Sequence, residues 1–265
     1  MSAVPALVPA TPPAEAIVSV RGVTKVYPGG VEALSGITLD FPRGQLTTLL
    51  GPSGCGKTTL LKIIAGLVPA TSGTVEVAGR TVAGPGPERA FVFQDFALLP
   101  WASVLRNVAF GLELRGVPRS EREAVAERFV AQVGLKGFEK RYPHELSGGM
   151  RQRVGLARAL AVDADVLLMD EPFSAVDEQT RRKFQEDLLG LVATHNKTFI
   201  FVTHSIEEAV YVSDRVVLLS RRPSRVSAII EPDIARDIAP ERIRRHPVYL
   251  DTVEEIWQAL RQYLD

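Results

Sequence analysis

A chain of 265 residues, 46% of them hydrophobic, has room for one large domain or two small ones and enough apolar side chains for a sizeable core. Its 31 Lys and Arg balance its 31 Asp and Glu, so no global basic charge points to nucleic acid. Cys55, the single cysteine, has no partner for an internal disulfide, which fits a reducing compartment; no apolar run approaches a membrane span, and no Lys or Arg precedes Arg21 to form a secretory signal.

Residues 1–15 are rich in Ala and Pro, lack periodicity and read as a disordered tail. Ile17–Val20 and Ile37–Phe41 are β-like runs separated by the turn residues Pro28-Gly29-Gly30. Gln45–Leu50 reads as a buried strand and Leu60–Leu67 as a helix with one apolar face. Thr74–Val77 and Ala90–Phe93 are further strands. Val104–Arg115 and Ser120–Val133 read as helices, the second opened by a capping box formed by Ser120 and Glu123. After residue 160, the apolar runs Val166–Met169, Thr198–Val202 and Val216–Leu219 alternate with helical segments. Such strands imply a parallel sheet covered on both faces, with a helical block of about residues 95–160 inserted into the α/β core. Residues 226–265 form a charged extension ending in an amphipathic helix over Val253–Leu264.

Gly51-Pro52-Ser53-Gly54-Cys55-Gly56-Lys57-Thr58-Thr59 lies between that strand and that helix, which is the context of a phosphate-binding loop. Backbone N–H groups at the helix start make a concave anion site, and the glycines allow close backbone approach. Lys57 is expected on the β- and γ-phosphates, and Thr58 on Mg²⁺. Val166–Met169 leads into Asp170-Glu171. Because side chains alternate along a strand, the two carboxylates point differently and suit different tasks: Asp170 to hold Mg²⁺, Glu171 to polarise an attacking water. Ser147-Gly148-Gly149 precedes another helix and offers a second anion site, with Ser147 as its N-cap. Cys55 within the loop reads as a small side chain of no special role.

The run Leu146-Ser147-Gly148-Gly149-Met150-Arg151-Gln152-Arg153, placed between that loop and that Asp-Glu strand, resembles the signature of ATP-binding cassette (ABC) ATPases. The resemblance covers roughly residues 17–225 and sets 16–225 as the ABC ATPase domain: a P-loop NTPase core of α/β class, an antiparallel β subdomain and an inserted helical subdomain. It implies that Tyr27 stacks on adenine, that Gln94 senses Mg²⁺ and the water, and that His204 contacts the γ-phosphate. Ser174-Ala175-Val176-Asp177 resembles the dimer-contact loop. Val176 stands where the family usually has leucine, and Ser205 where related importers often have aspartate; neither removes a catalytic group.

By the same resemblance, ATP lies between the P-loop of one copy and Ser147-Gly148-Gly149 of a second copy in a head-to-tail dimer. Leu98-Leu99-Pro100-Trp101, followed by Val104, Asn107 and Val108, resembles the nitrate/sulfonate/taurine importer branch, as do Asp214-Arg215-Val216 and Arg222-Pro223. That branch implies an ATPase peripheral to the cytoplasmic face of the cell membrane, docked on transmembrane permease subunits and served indirectly by an extracytoplasmic solute-binding protein. The competing readings are a soluble ABC ATPase uncoupled from transport and an importer for another small solute such as a thiamine precursor. A catalytically silent scaffold would lack Glu171 or His204, and both are present.

Overall fold

Strands built mainly of apolar residues must be covered on both faces, and here they form the central layer. The computed structural model describes residues 15–174, 177–195, 197–234 and 238–263. The sequence-predicted tail thus lies, up to residue 14, outside the described residues, as do Ala175 and Val176 of the expected dimer-contact loop.

The central sheet contains β3 (Leu46–Leu50), β6 (Arg89–Val92), β7 (Val166–Asp170), β8 (Thr198–Val202), β9 (Arg215–Leu219) and β10 (Val226–Ile230), in the order β10-β9-β3-β8-β7-β6. All neighbouring pairs are parallel except β9 with β10, which is antiparallel. The sheet therefore continues one strand past residue 225. Its period-two alternation divides the core. Leu46, Leu50, Leu167, Met169, Phe199 and Phe201 join one apolar cluster with the helical block. Leu49, Leu168, Ile200, Val202 and Val217 face the other way, into a cluster shared with a second sheet.

That second sheet is antiparallel: β1 (Ala16–Tyr27), β2 (Val31–Pro42), β4 (Ser72–Val77) and β5 (Arg80–Thr81), in the order β2-β1-β4-β5. Helix α1 (Lys57–Ile64) lies between the two sheets and buries Leu60, Leu61, Ile63 and Ile64. It starts and ends earlier than the Leu60–Leu67 run, because Gly66, at φ +75°, terminates it.

The helical block consists of α2 (Val104–Leu114), α3 (Arg119–Gln132) and α4 (Gly148–Ala161). The capping box expected at Ser120 does not form. Pro118 is the N-cap, and the Glu123 carboxylate turns instead to Arg119, 2.8 Å away on the same helix face. The charge pair competes successfully with the backbone for Glu123.

Helices α5 (Glu178–Thr194) and α6 (Ile206–Val212) return to the central sheet, and a short α7 (Pro240–Ile243) precedes α8 (Pro247–Arg261). Helix α8 starts six residues before the expected Val253, with Pro247 at its first turn where a missing N–H costs nothing. It buries Tyr249, Thr252, Ile256 and Leu260 and packs on α6 of its own chain, with Tyr249 donating to Glu207 O at 3.4 Å.

Candidate functional site

A cavity of about 550 Å³ opens at the C-terminal ends of the parallel strands, lined by Tyr27, Ala33, Ser53, Gly54, Gly56, Lys57, Thr58, Thr59, Glu171, His204 and Arg222. Ligands bind in this crevice in open α/β sheets because strand ends and helix starts converge there. The glycine-rich loop forms one wall. Gly54 and Gly56 adopt φ +71° and +111°, and a Cβ on Gly56 would come within 2.9 Å of Leu34 Cδ2, so β2 leaves room there only for glycine.

Lys57, 6% exposed, donates from Nζ to Gly51 O at 2.7 Å and Pro52 O at 3.0 Å. Its ammonium is held over the loop that the sequence assigns to phosphate. Cys55 is buried beside it, and burial pushes its thiol above the usual range against the opposing pull of Lys57. A buried thiol with a raised pKa is a poor nucleophile.

Thr58 Oγ1 donates to Asp170 Oδ1 at 2.7 Å. Desolvation raises the Asp170 pKa; the Thr58 bond and nearby Lys62 and Lys57 only partly oppose it. The two carboxylates diverge more sharply than strand alternation requires. Asp170 is the last residue of β7, whereas Glu171 turns into the left-handed region at φ +45° and its N–H bonds Val202 O at 3.0 Å. A non-glycine residue held there is strained, and such strain concentrates at functional sites. Ser174 Oγ helps hold the turn by donating to Glu171 O at 2.9 Å.

Glu171 Oε2 is the meeting point of two other expected residues. His204 Nδ1 lies 3.4 Å from it, and Gln94 Nε2 approaches to 3.5 Å from the end of β6. At the far end, Tyr27 closes β1. Its hydroxyl is 3.2 Å from Thr59 Oγ1, and Lys25 Nζ stands 5.1 Å from its ring centroid. Ser147 is indeed an N-cap, accepting from Met150 N at 3.3 Å, and α4 starts at Gly148. Ser147, Gly148 and Gly149 do not line the cavity. The glycine-rich loop and the start of α4 are thus separate features of one chain.

Sequence reasoning missed three features around the site. Arg222, marked in the sequence only as part of a branch-like Arg222-Pro223 pair, lines the cavity from the turn after β9. Behind His204, Thr203 Oγ1 donates to buried Glu208 at 2.5 Å, and Arg181 of α5 lies 3.7 Å from the same carboxylate. The third is the backbone support of the segment after Gln94. Phe96 and Ala97 have φ +62° and +42°, and Arg158 of α4 donates to both carbonyls at 2.6 and 2.7 Å. Further on, the fully buried Asn107 side chain accepts from Leu99 N and donates to Leu99 O, Ala102 O and Ser103 O. Trp101, between these supports, is 71% exposed.

Comparison with known proteins bears on this arrangement. Residues 34–174 match the family model described as ABC transporter. The chain is 53% identical over 211 residues to the taurine import ATP-binding protein TauB of Chromobacterium violaceum, covering 79% of this chain and 81% of that protein. It is 48% identical over 246 residues to TauB of Pseudomonas syringae pv. tomato, covering 91% and 94%. An uncharacterized ABC transporter ATP-binding protein of Methanocaldococcus jannaschii, MJ0412, is 51% identical over 220 residues, or 82% of each chain. Among solved structures, the dimeric post-hydrolysis state of the ATP-binding cassette MJ0796 bound to ADP and Pi superposes with a TM-score of 0.71 at 32% identity, covering 81% of this chain and 98% of that one.

Proposed function

Since this chain belongs to the ABC transporter family, we propose that it is the ATP-hydrolysing subunit of an importer for a small sulfonate of the taurine type. The observation that carries the catalytic part is the convergence of Gln94 and His204 on Glu171 Oε2 at the mouth of a cavity floored by Lys57 and Thr58.

ATP enters with its adenine against Tyr27 and its phosphates on residues 51–59, where loop N–H groups and the α1 N-terminus supply fixed positive potential. Lys57 exchanges its two loop carbonyls for phosphate oxygens. Glu171 accepts the proton of the attacking water at Oε2, with His204 and Gln94 orienting the water and the terminal phosphate. Thr58 and Asp170 are a hydroxyl and a carboxylate already 2.7 Å apart, the hard-oxygen pair that suits Mg²⁺ completed by substrate phosphates. When bound, Mg²⁺ would neutralise charge on the transferring phosphoryl group.

Ser147, Gly148 and Gly149 lie away from the cavity, so the reading places them on the nucleotide of a second copy. The dimeric MJ0796 cassettes support this arrangement. Closure of the pair then depends on the terminal phosphate, and hydrolysis releases it. The exposed Trp101, on a loop braced by Arg158 and Asn107, is the point of contact with a permease, whose own partner outside the membrane is a solute-binding protein. No helix among the described residues is long and apolar enough to cross a membrane. In the proposed assembly the chain sits peripherally on the cytoplasmic face, held by that permease.

The test uses this chain as bait on solubilised native membranes, followed by mass spectrometry. A multi-spanning permease is expected in the eluate, and taurine is then the first ligand to try on the companion binding protein. Recovery of soluble partners alone, with ATPase activity intact, would remove the importer reading and leave the ATPase.

A further inference from the structure

We propose that Arg222 is a second cation for the phosphate chain of the nucleotide, supplied by the β9–β10 turn rather than by the glycine-rich loop. The inference rests on reading the cavity as the nucleotide site and adds a residue that the nine-residue loop does not contain.

Lys57 and Arg222 are the basic side chains of the lining, and Glu171 is its carboxylate. Without Arg222, Lys57 and Glu171 would cancel, and a polyanion would enter a wall with no net attraction beyond backbone dipoles. Arg222 gives the wall its net positive charge.

A guanidinium nitrogen of Arg222 lies 3.9 Å from where a Cβ on Gly54 would stand, so the group hangs over the tip of the phosphate loop. Tyr27, the expected adenine contact, lines the same cavity. A planar guanidinium offers five N–H donors in a fork that matches phosphate oxygens.

The guanidinium is unengaged while its backbone is fixed. Among the described residues, Arg222 makes no hydrogen bond or ion pair, whereas neighbouring Arg221 is spent on the carbonyl of Tyr263. The turn that carries both is stapled on two sides. Ser220 N bonds Arg225 O at 3.0 Å and Ser220 Oγ accepts from Arg225 N at 3.0 Å. Buried Ser224 donates to Ala33 O and accepts from Ser35 N, both at 3.0 Å, tying the turn to β2. Ala33 itself lines the cavity. A free cation on a rigid turn loses little backbone entropy when it meets an anion.

Isothermal titration of MgATP into the Glu171→Gln protein, which keeps the nucleotide intact, tests the inference. Adding Arg222→Gln should raise Kd about tenfold, while Arg222→Lys stays within about threefold because the charge is kept. The gap between the Gln and parent proteins should narrow as salt is raised. The melting temperature without nucleotide should be the same for all three. A Gln variant within twofold of the parent overturns the inference, as does a Lys variant as weak as the Gln variant. So does a fall in unliganded melting temperature that tracks the loss of affinity, since Arg222 would then be structural. Lys57→Ala separates this from the underlying reading: if it binds MgATP like the parent, the cavity is not the phosphate site at all. If Lys57→Ala abolishes binding and Arg222→Gln does not alter it, only the role of Arg222 is lost.

Discussion

The nucleotide cavity and the Phe96–Ser103 segment both depend on irregular backbone, but they hold it by opposite means. Around the cavity, Gly54 and Gly56 hold left-handed backbone that other side chains rarely adopt, and Lys57 folds back onto the loop carbonyls. Along Phe96–Ser103 the main chain faces inward, where Arg158 and Asn107 satisfy its carbonyls, and the side chain of Trp101 faces outward. A surface for phosphate must present backbone dipoles, so it is built from residues with little side chain. A surface for an apolar partner must present a side chain, so buried polar groups have to take over the backbone.

Substitutions can break this contrast, starting with the largest effect. Glu171→Gln should reduce steady-state ATP turnover about 10²–10⁴-fold while retaining MgATP, because the acceptor of the water proton is lost and the phosphate wall is intact. Phosphate-release kinetics beside nucleotide titration would check it, and near-normal turnover would remove Glu171 from the reaction. Asn107→Ala should cost about 2–3 kcal/mol in denaturant unfolding, since it strips partners from a buried run of backbone groups. If it unfolds like the parent, water has replaced the side chain and the inward-facing description is wrong.

Asp170→Asn sharpens the cavity side through pH. The folded pKa of Asp170 is raised by burial. A raised acid stabilises the fold fully below its unfolded pKa, and that contribution is lost as pH climbs through the folded value. The Asn variant should therefore melt a few degrees higher, about 2–4 °C, near neutral pH without nucleotide, and the gap should close on acidification through the carboxylate range. Mg²⁺-dependent turnover should be lost in the same protein. Calorimetry that shows no gain at neutral pH would mean Thr58 compensates the buried charge completely. Trp101→Ala is the smallest perturbation to the fold: with 71% of the side chain already in water, stability should change by less than about 0.5 kcal/mol. Basal turnover should be unchanged, and recovery of the permease from membranes should fall. Undiminished recovery would free Trp101 from the docking role.

What the sequence made legible follows the same division. Val166–Met169 and Phe199–Val202 are apolar throughout, and both belong to buried strands of the parallel sheet, as their composition requires. Ser147 as an N-cap needed only local chemistry and is one. Ser120 and Glu123 have the spacing of a capping box, but Arg119, in the same turn, competes for Glu123 and outweighs the capping bond. The amphipathic pattern from Val253 starts later than α8 does because the first turn, Pro247 to Leu250, has a single buried residue to mark it, Tyr249. Arg222 and Asn107 stand out in the sequence only as branch-like residues, and their roles are not legible there for a different reason. Their partners lie across a sheet junction or in a backbone turn, and no periodicity reports what a distant loop will need.

The staple at Ser224 also turns the junction of the two sheets into a clock. Ser224 N–H is bonded to Ala33 O, and Ser35 N–H to Ser224 O. Neither amide can exchange its proton for solvent deuterium until the β9–β10 turn lifts from β2. Their exchange rates therefore time the opening of the antiparallel sheet from the central one, and slowing of both on addition of MgATP is expected if, as proposed, the nucleotide spans Tyr27 on one sheet and Lys57 beside the other and so binds the two into a single body.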